Sequence, residues 1–89
     1  MKTREMLVEE TEIVTQKEKS LLVFNDDVNT FEFVIEALIK VCDHGEMQAE
    51  QCTYIIHHRG KCSVKVGTYK KLEPLCTKLL DLGLSAQIE

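Results

Sequence analysis

A short apolar strand pattern followed by a strongly apolar helix pattern constrains the fold of this chain most. Residues 20–24 read SLLVF, and their length and composition predict a buried β-strand. From Thr30 to about Asp43, polar residues recur every three or four positions as one narrow stripe, and apolar side chains fill the rest. A helix this apolar is covered on more than one side, either by the core or by a pocket that it lines.

Two helices are predicted in the first two thirds of the chain. Asn29 is a candidate N-cap of the first, and Glu32 three residues later would complete a capping box. The residues DHG at 43–45 end that helix. A second helix is predicted from about residue 47 to residue 58, and it stops before Gly60, a residue typical of the position just after a helix.

The last third of the chain predicts two strands and a third helix. Cys62, Val64 and Val66 alternate with polar neighbours, which is the period of a half-buried strand. Pro74 leaves two options for the helix that ends near Gly83, a kink or a start near residue 73 after a short turn. Residues 84–89 alternate as a final strand.

The resulting order, β-α-α-β-α-β, predicts an α+β fold, a single compact domain with three helices packed on a small antiparallel sheet. We assign this domain to residues 20–89 and expect residues 1–19 to form a flexible N-terminal extension, whose last part can lengthen the first strand. A chain of 89 residues is near the lower size for a stable single core.

Composition excludes several classes of protein. A net charge of −4 argues against nucleic-acid binding, and no apolar run is long enough for a membrane span. The spacings of the four cysteines form no metal-ligand pair, so no metal and no cofactor are expected. Because residues 1–20 lack the apolar stretch of a signal peptide, we expect a cytoplasmic protein with reduced thiols in its core.

The residues Asn25, Asp26 and Asp27 exceed what a turn requires. Asx side chains commonly bond the backbone that follows them, which would explain one or two of the three. His57 falls on the same side of the second helix as Ala49, Thr53 and Ile56, an edge of apolar neighbours where a histidine is more often structural than functional. No nucleophile motif or phosphate-binding loop accompanies these residues, so no catalytic residue is assigned and no enzyme is expected.

Two segments together resemble the ClpS family of adaptor proteins. These are LLVFNDDVNTFEFVIEAL at 21–38 and HHRGK at 57–61, and the resemblance extends over residues 20–89. It implies a substrate adaptor that recognises a large hydrophobic N-terminal residue (Leu, Phe, Tyr or Trp) of N-degron proteins. The implied partner is a Clp-type AAA+ unfoldase with a ClpA- or ClpC-like N-terminal domain and its peptidase, and we expect a monomer.

The resemblance also implies roles for individual residues. Asn25, Asp26 and His57 match the positions that bind the substrate α-amino group, and Asp27 is expected to support the turn. The side-chain pocket is expected to be lined by Asn29, Phe31, Val34, Thr53, Ile56 and Leu84. Phe31 and Thr53 both replace family methionines, which leaves the preference among the four first residues open.

The chemistry of these residue types fits the implied role. An N-terminal residue presents a charged amine beside a free side chain, so its receptor needs hydrogen-bond acceptors next to an apolar hole. Amide, carboxylate and neutral imidazole groups supply such acceptors. The alternative is a general interaction domain that docks a partner through its apolar helix.

Overall fold

The computed structural model describes residues 17–89, and its elements follow the predicted order. The expected flexible extension lies outside the described residues, apart from its last three positions. The elements are β1 (Glu18–Phe24), α1 (Phe31–Cys42), α2 (Glu46–Arg59), β2 (Lys61–Thr68), α3 (Tyr69–Asp81) and β3 (Ser85–Ile88). The α+β class and the three-helix arrangement on a small sheet are confirmed, and β1 begins two residues before the expected domain boundary.

The sheet is antiparallel with the strand order β2-β1-β3, so β1 occupies its centre. At the end of β1, Phe24 pairs with Lys61 on one side and with Ser85 on the other. The loop after β1 therefore lies beside the end of α2 and beside the turn that precedes β3. The loop after β1, the end of α2 and the turn before β3 are distant in sequence and meet at this end of the sheet.

The core lies between the sheet and the helices. It combines Leu21 and Val23 of β1 with buried side chains of every helix, namely Val34, Ala37, Leu38, Cys42, Ala49, Ile56, Leu72 and Leu79. On α2 the buried residues are Ala49, Thr53 and Ile56, whereas His57, expected on the same side of the helix, is exposed. A fully buried Leu or Val contributes about 1.5–3 kcal/mol, so this cluster dominates the stability of a small domain.

The predicted N-cap of α1 is wrong by one residue. Thr30 has the extended conformation of a cap, and its hydroxyl accepts a hydrogen bond from the Phe33 amide at 3.1 Å. Asn29 does not serve as the cap because its side chain donates to Asp26 and to the Gly83 carbonyl. With the cap at Thr30, Glu32 is one position too early for a capping box.

A second difference concerns β2, where Val66 was expected on the half-buried face. Val66 is 51% exposed, whereas Val64 is buried. The register shifts between Leu21, which pairs with Lys65, and Leu22, which pairs with Ser63, so Val64 is the extra residue of a β-bulge. Because one extra residue reverses the side-chain alternation, the bulge turns Val66 away from the core.

The third helix is continuous through Pro74. It begins at Tyr69 directly after β2, and the Thr68 hydroxyl caps it by accepting from the Lys71 amide at 3.3 Å. Of the two options for Pro74, the start near residue 73 is wrong. The proline lies on the exposed side of the helix, where water can satisfy the carbonyl that its missing N–H leaves unpaired.

Candidate functional site

A backbone hydrogen bond joins the loop after β1 to the end of α2. The Asn25 amide donates to the Gly60 carbonyl at 2.9 Å. Gly60 has a left-handed conformation with φ of 92°, and its own amide donates to the Ile56 carbonyl, which closes the helix. This bond places the residue after β1 close to the last turn of α2, which carries His57.

Asp26 organises the loop that follows. One carboxylate oxygen accepts from the Val28 and Asn29 amides at 2.9 and 2.8 Å, and the other accepts from the Asn29 side-chain amide at 2.8 Å. Bonds from the backbone and side chain of Asn29, then from Val28, lower the pKa of the Asp26 carboxyl. Asp26 therefore stays ionised at neutral pH, and the oxygen that accepts only from the Asn29 side chain can accept one more hydrogen bond.

The turn-forming bonds were expected from Asp27, and the structure assigns them to Asp26 instead. In an Asx turn, the side chain accepts hydrogen bonds from backbone amides two or three residues later. Here the donating amides belong to Val28 and Asn29, so the accepting residue is Asp26. Asp27 remains exposed at the rim of the site. Asp26 thus combines the ordinary function of a turn residue with a charge directed at the neighbouring cavity.

Asn29 connects this loop to the turn before β3. Its side-chain amide donates to the Gly83 carbonyl at 2.9 Å as well as to Asp26. Gly83 has φ of 91° and precedes Leu84, which is buried. One side chain therefore fixes both the carboxylate of Asp26 and the approach of Leu84 to the site.

A cavity of about 310 Å³ opens between the loop, α1 and α2. All the predicted site residues except Leu84 line it: Asn25, Asp26, Asp27, Asn29, Phe31, Val34, Thr53, Ile56 and His57. Leu84 lines a much smaller adjoining cleft, in contact with Val34 and Ile56. Thr30 also lines the cavity; it was not among the expected site residues because only its position as the helix cap brings it there.

One part of the cavity wall is apolar and continuous with the core. Val34 and Ile56 are buried members of the core. Thr53 is 3% exposed, and its hydroxyl donates to the Ala49 carbonyl at 2.8 Å, so its polar atom is already satisfied within α2. Phe31 is partly exposed and stands edge-on to His57, with ring centroids 6.4 Å apart at an angle of 83°.

The polar residues of the cavity are suited to a cation. Asn25 can offer an amide oxygen, Asp26 a negative charge, and His57 a ring nitrogen when neutral. The C-terminal end of α2 adds negative potential beside them. Because these acceptors adjoin Val34 and Ile56, the arrangement can bind a group that carries a positive charge next to an apolar side chain.

Other kinds of site find no support in the part of the chain that the structure describes. Within residues 17–89, no group of His, Cys, Asp or Glu side chains is placed to hold a metal ion. In the same range, no helix is long and apolar enough to cross a membrane.

Comparisons with known proteins find the same family by sequence and by structure. The family model described as "ATP-dependent Clp protease adaptor protein ClpS" matches residues 14–87. The ClpS adapter protein of Campylobacter jejuni is 30% identical over 88 residues, which cover 92% of each chain. The ClpS adapter protein of Nautilia profundicola is 33% identical over 70 residues, which cover 79% of this chain and 72% of the relative.

A solved structure supports the same relationship. Agrobacterium tumefaciens ClpS2, bound to L-phenylalaninamide, is similar with a TM-score of 0.79 at 25% sequence identity. The match covers 82% of this chain and 95% of that chain. Because the family model spans residues 14–87 and the Campylobacter relative is 30% identical over 92% of its length, this chain belongs to the ClpS family of Clp protease adaptor proteins.

Proposed function

We propose that the cavity binds the free N-terminal residue of N-degron proteins and that the chain delivers them to a Clp-type AAA+ unfoldase. The preferred first residues are the large hydrophobic ones, Leu, Phe, Tyr and Trp. The chain itself acts in the cytoplasm, as a monomer, by binding and release without chemical turnover. The partner surface is the N-terminal domain of a ClpA- or ClpC-like unfoldase.

One observation carries this proposal: cation acceptors and an apolar hollow line the same cavity. In the proposed complex, Asn25, Asp26 and His57 accept hydrogen bonds from the substrate α-ammonium group. The side chain of the substrate's first residue contacts Phe31, Val34, Thr53 and Ile56. Asn29 and Leu84 hold the pocket walls in place. An internal residue of a protein has no ammonium group and therefore cannot satisfy both halves of the site.

The ligand of the Agrobacterium relative is chemically consistent with this arrangement. L-Phenylalaninamide has a free α-amino group, an aromatic side chain and no free carboxylate. It therefore has the same groups as a Phe residue at the start of a peptide. That protein binds it. We extend this binding mode to the present chain because its cavity offers acceptors and apolar walls of the same kind.

The expected affinity is moderate. Two or three hydrogen bonds to a charged group contribute roughly 1.5–3 kcal/mol each, and burial of a Leu or Phe side chain adds about 1.5–3 kcal/mol. After the cost of association, a net free energy of about −8 kcal/mol corresponds to a dissociation constant near 1 μM. Binding of this strength allows the adaptor to release its substrate.

A peptide panel that differs only at the first residue tests the proposal. Leu-, Phe-, Tyr- and Trp-start peptides should bind in the micromolar range, whereas Ala-, Glu- and Lys-start peptides of the same length should bind at least tenfold more weakly. Equal affinity across the panel would favour a general docking domain instead. Formation of a modified peptide would favour an enzyme.

Delivery requires a separate experiment, because binding alone does not establish it. A substrate with an exposed N-terminal Phe should be degraded by the unfoldase and peptidase only when the adaptor is present. A variant that lacks residues 1–16 keeps β1 intact and should bind peptide normally, yet deliver it poorly. Unchanged degradation by this variant would exclude a function of the extension in delivery.

A further inference from the structure

A series of neighbouring aromatic rings extends from the mouth of the cavity along the exposed side of α2. The His57 ring lies 5.4 Å from the His58 ring, and the His58 ring lies 4.1 Å from the Tyr54 ring. His57 lines the cavity, whereas neither His58 nor Tyr54 does. The fold does not need this pair, because Tyr54 is 58% exposed and belongs to no part of the core.

Tyr54 and His58 form one surface because they lie four residues apart on the same helix. Their rings are tilted by 42°, so together they present an aromatic shelf, defined here by these two residues. The shelf adjoins the residue that we assign to binding of the substrate amine. A peptide that leaves the cavity on the side of His57 would lie next to this shelf.

The geometry of an extended chain decides which residue of that peptide meets the shelf. Successive side chains of a strand point to opposite sides, so the first and third residues face the same surface. Two residues advance the chain by about 6.6–6.8 Å. The His58 ring lies 5.4 Å from the His57 ring, somewhat less than this advance, so the third residue is the one that can reach the shelf. The second side chain of such a peptide would point away from it.

We propose that Tyr54 and His58 bind the third residue of the substrate and that this subsite favours an aromatic side chain. This inference rests on the proposed function of the cavity. Aromatic rings pack on one another in offset or edge-on arrangements that add to simple burial.

Binding of Leu-Ala-Phe and Leu-Ala-Ala peptides of otherwise identical sequence tests this subsite. Phe at position three should raise the affinity about two- to tenfold, the effect of one additional aromatic contact. In Tyr54→Ala, the ratio of the two affinities should fall towards one, and His58→Ala should reduce it as well. The matched control is Tyr69→Ala, which removes an aromatic side chain that is 51% exposed on α3 and does not line the cavity. This control should keep the wild-type ratio.

Several outcomes would overturn the subsite. These are equal affinity of the two peptides for the wild-type protein, an unchanged ratio in a folded Tyr54→Ala variant, or a larger gain from Phe at position two than at position three. Acetylated Leu-Ala-Ala separates this failure from failure of the proposed function. If the free peptide binds and the acetylated one does not, only the third-residue subsite is wrong. If both bind equally, the cavity does not recognise an N-terminus and both proposals fail.

Discussion

Replacement of Asp26 by Asn separates the charge of this residue from its shape. The variant retains one oxygen that can accept from the Val28 and Asn29 amides, so the turn persists. Its amide nitrogen takes the place of the oxygen that accepts from the Asn29 side chain, and two donors then face one another. The negative charge opposite the substrate ammonium group is also lost.

The expected effects differ in size for stability and for binding. Because the lost bond is partly exposed and water can replace it, the free energy of unfolding should fall by no more than about 1 kcal/mol. Loss of a hydrogen bond to a charged group should weaken binding by about 1.5–3 kcal/mol, which is a factor of about 10 to 100 in the dissociation constant. Urea denaturation measures the first quantity, and titration of a Leu-start peptide at pH 7 measures the second.

Asp27→Asn is the matched control, since it removes the same charge one residue away. Asp27 is exposed and makes none of the bonds that form the turn, so its loss should cost at most about 1 kcal/mol of binding free energy. A folded Asp26→Asn protein that binds the peptide as well as the wild type would refute the assignment of Asp26. Equal losses in the two variants would show that only the general negative charge of the loop matters.

Two further predictions concern pH. Protonation of an imidazole removes its acceptor nitrogen, so acidification should weaken binding of a Phe-start peptide at His57, while Asp26 with its lowered pKa stays charged. The decline should disappear in His57→Gln, and a wild-type affinity that is constant from pH 7.5 to 5.5 would contradict the acceptor role. Burial raises the pKa of the Cys42 thiol to about 11, so this thiol should react with iodoacetamide at pH 8 far more slowly in the native than in the unfolded protein. The raised pKa also favours the neutral thiol in the folded state, so its contribution to the free energy of unfolding is present below about pH 9 and lost between pH 9 and 11. Mass spectrometry measures the alkylation rate, and denaturation at several pH values measures the stability. Equally fast alkylation of the native and the unfolded protein would contradict the burial of this thiol.

The order of elements could be predicted because it follows from strong local patterns, whereas the residues of the cavity were expected only from the resemblance to the ClpS family. The apolar strand, the apolar helix and Gly60 are readable from neighbouring residues alone. The convergence of Asn25 and His57 then follows from the antiparallel pairing of β1 with β2, which brings the end of one strand beside the start of the other.

The details that could not be predicted depend on residues far apart in sequence. Asn29 has the chemistry of an N-cap, but the Gly83 carbonyl competes for its side chain, and that partner is 54 positions away. The exposure of Val66 depends on a bulge that is defined only by the pairing of two strands. In each case the local preference is real, and a tertiary contact that the pattern does not contain outweighs it.

The most direct test of the amine-binding site compares one Leu-start peptide with its N-acetylated form by calorimetric titration under identical conditions. Acetylation removes the positive charge and leaves the side chain unchanged, so it isolates the contribution of Asn25, Asp26 and His57. We expect a dissociation constant near 1 μM for the free peptide and a loss of at least 100-fold on acetylation, as two lost bonds to a charged group would produce. Equal binding of the two forms would contradict the claim that this cavity recognises the beginning of a chain.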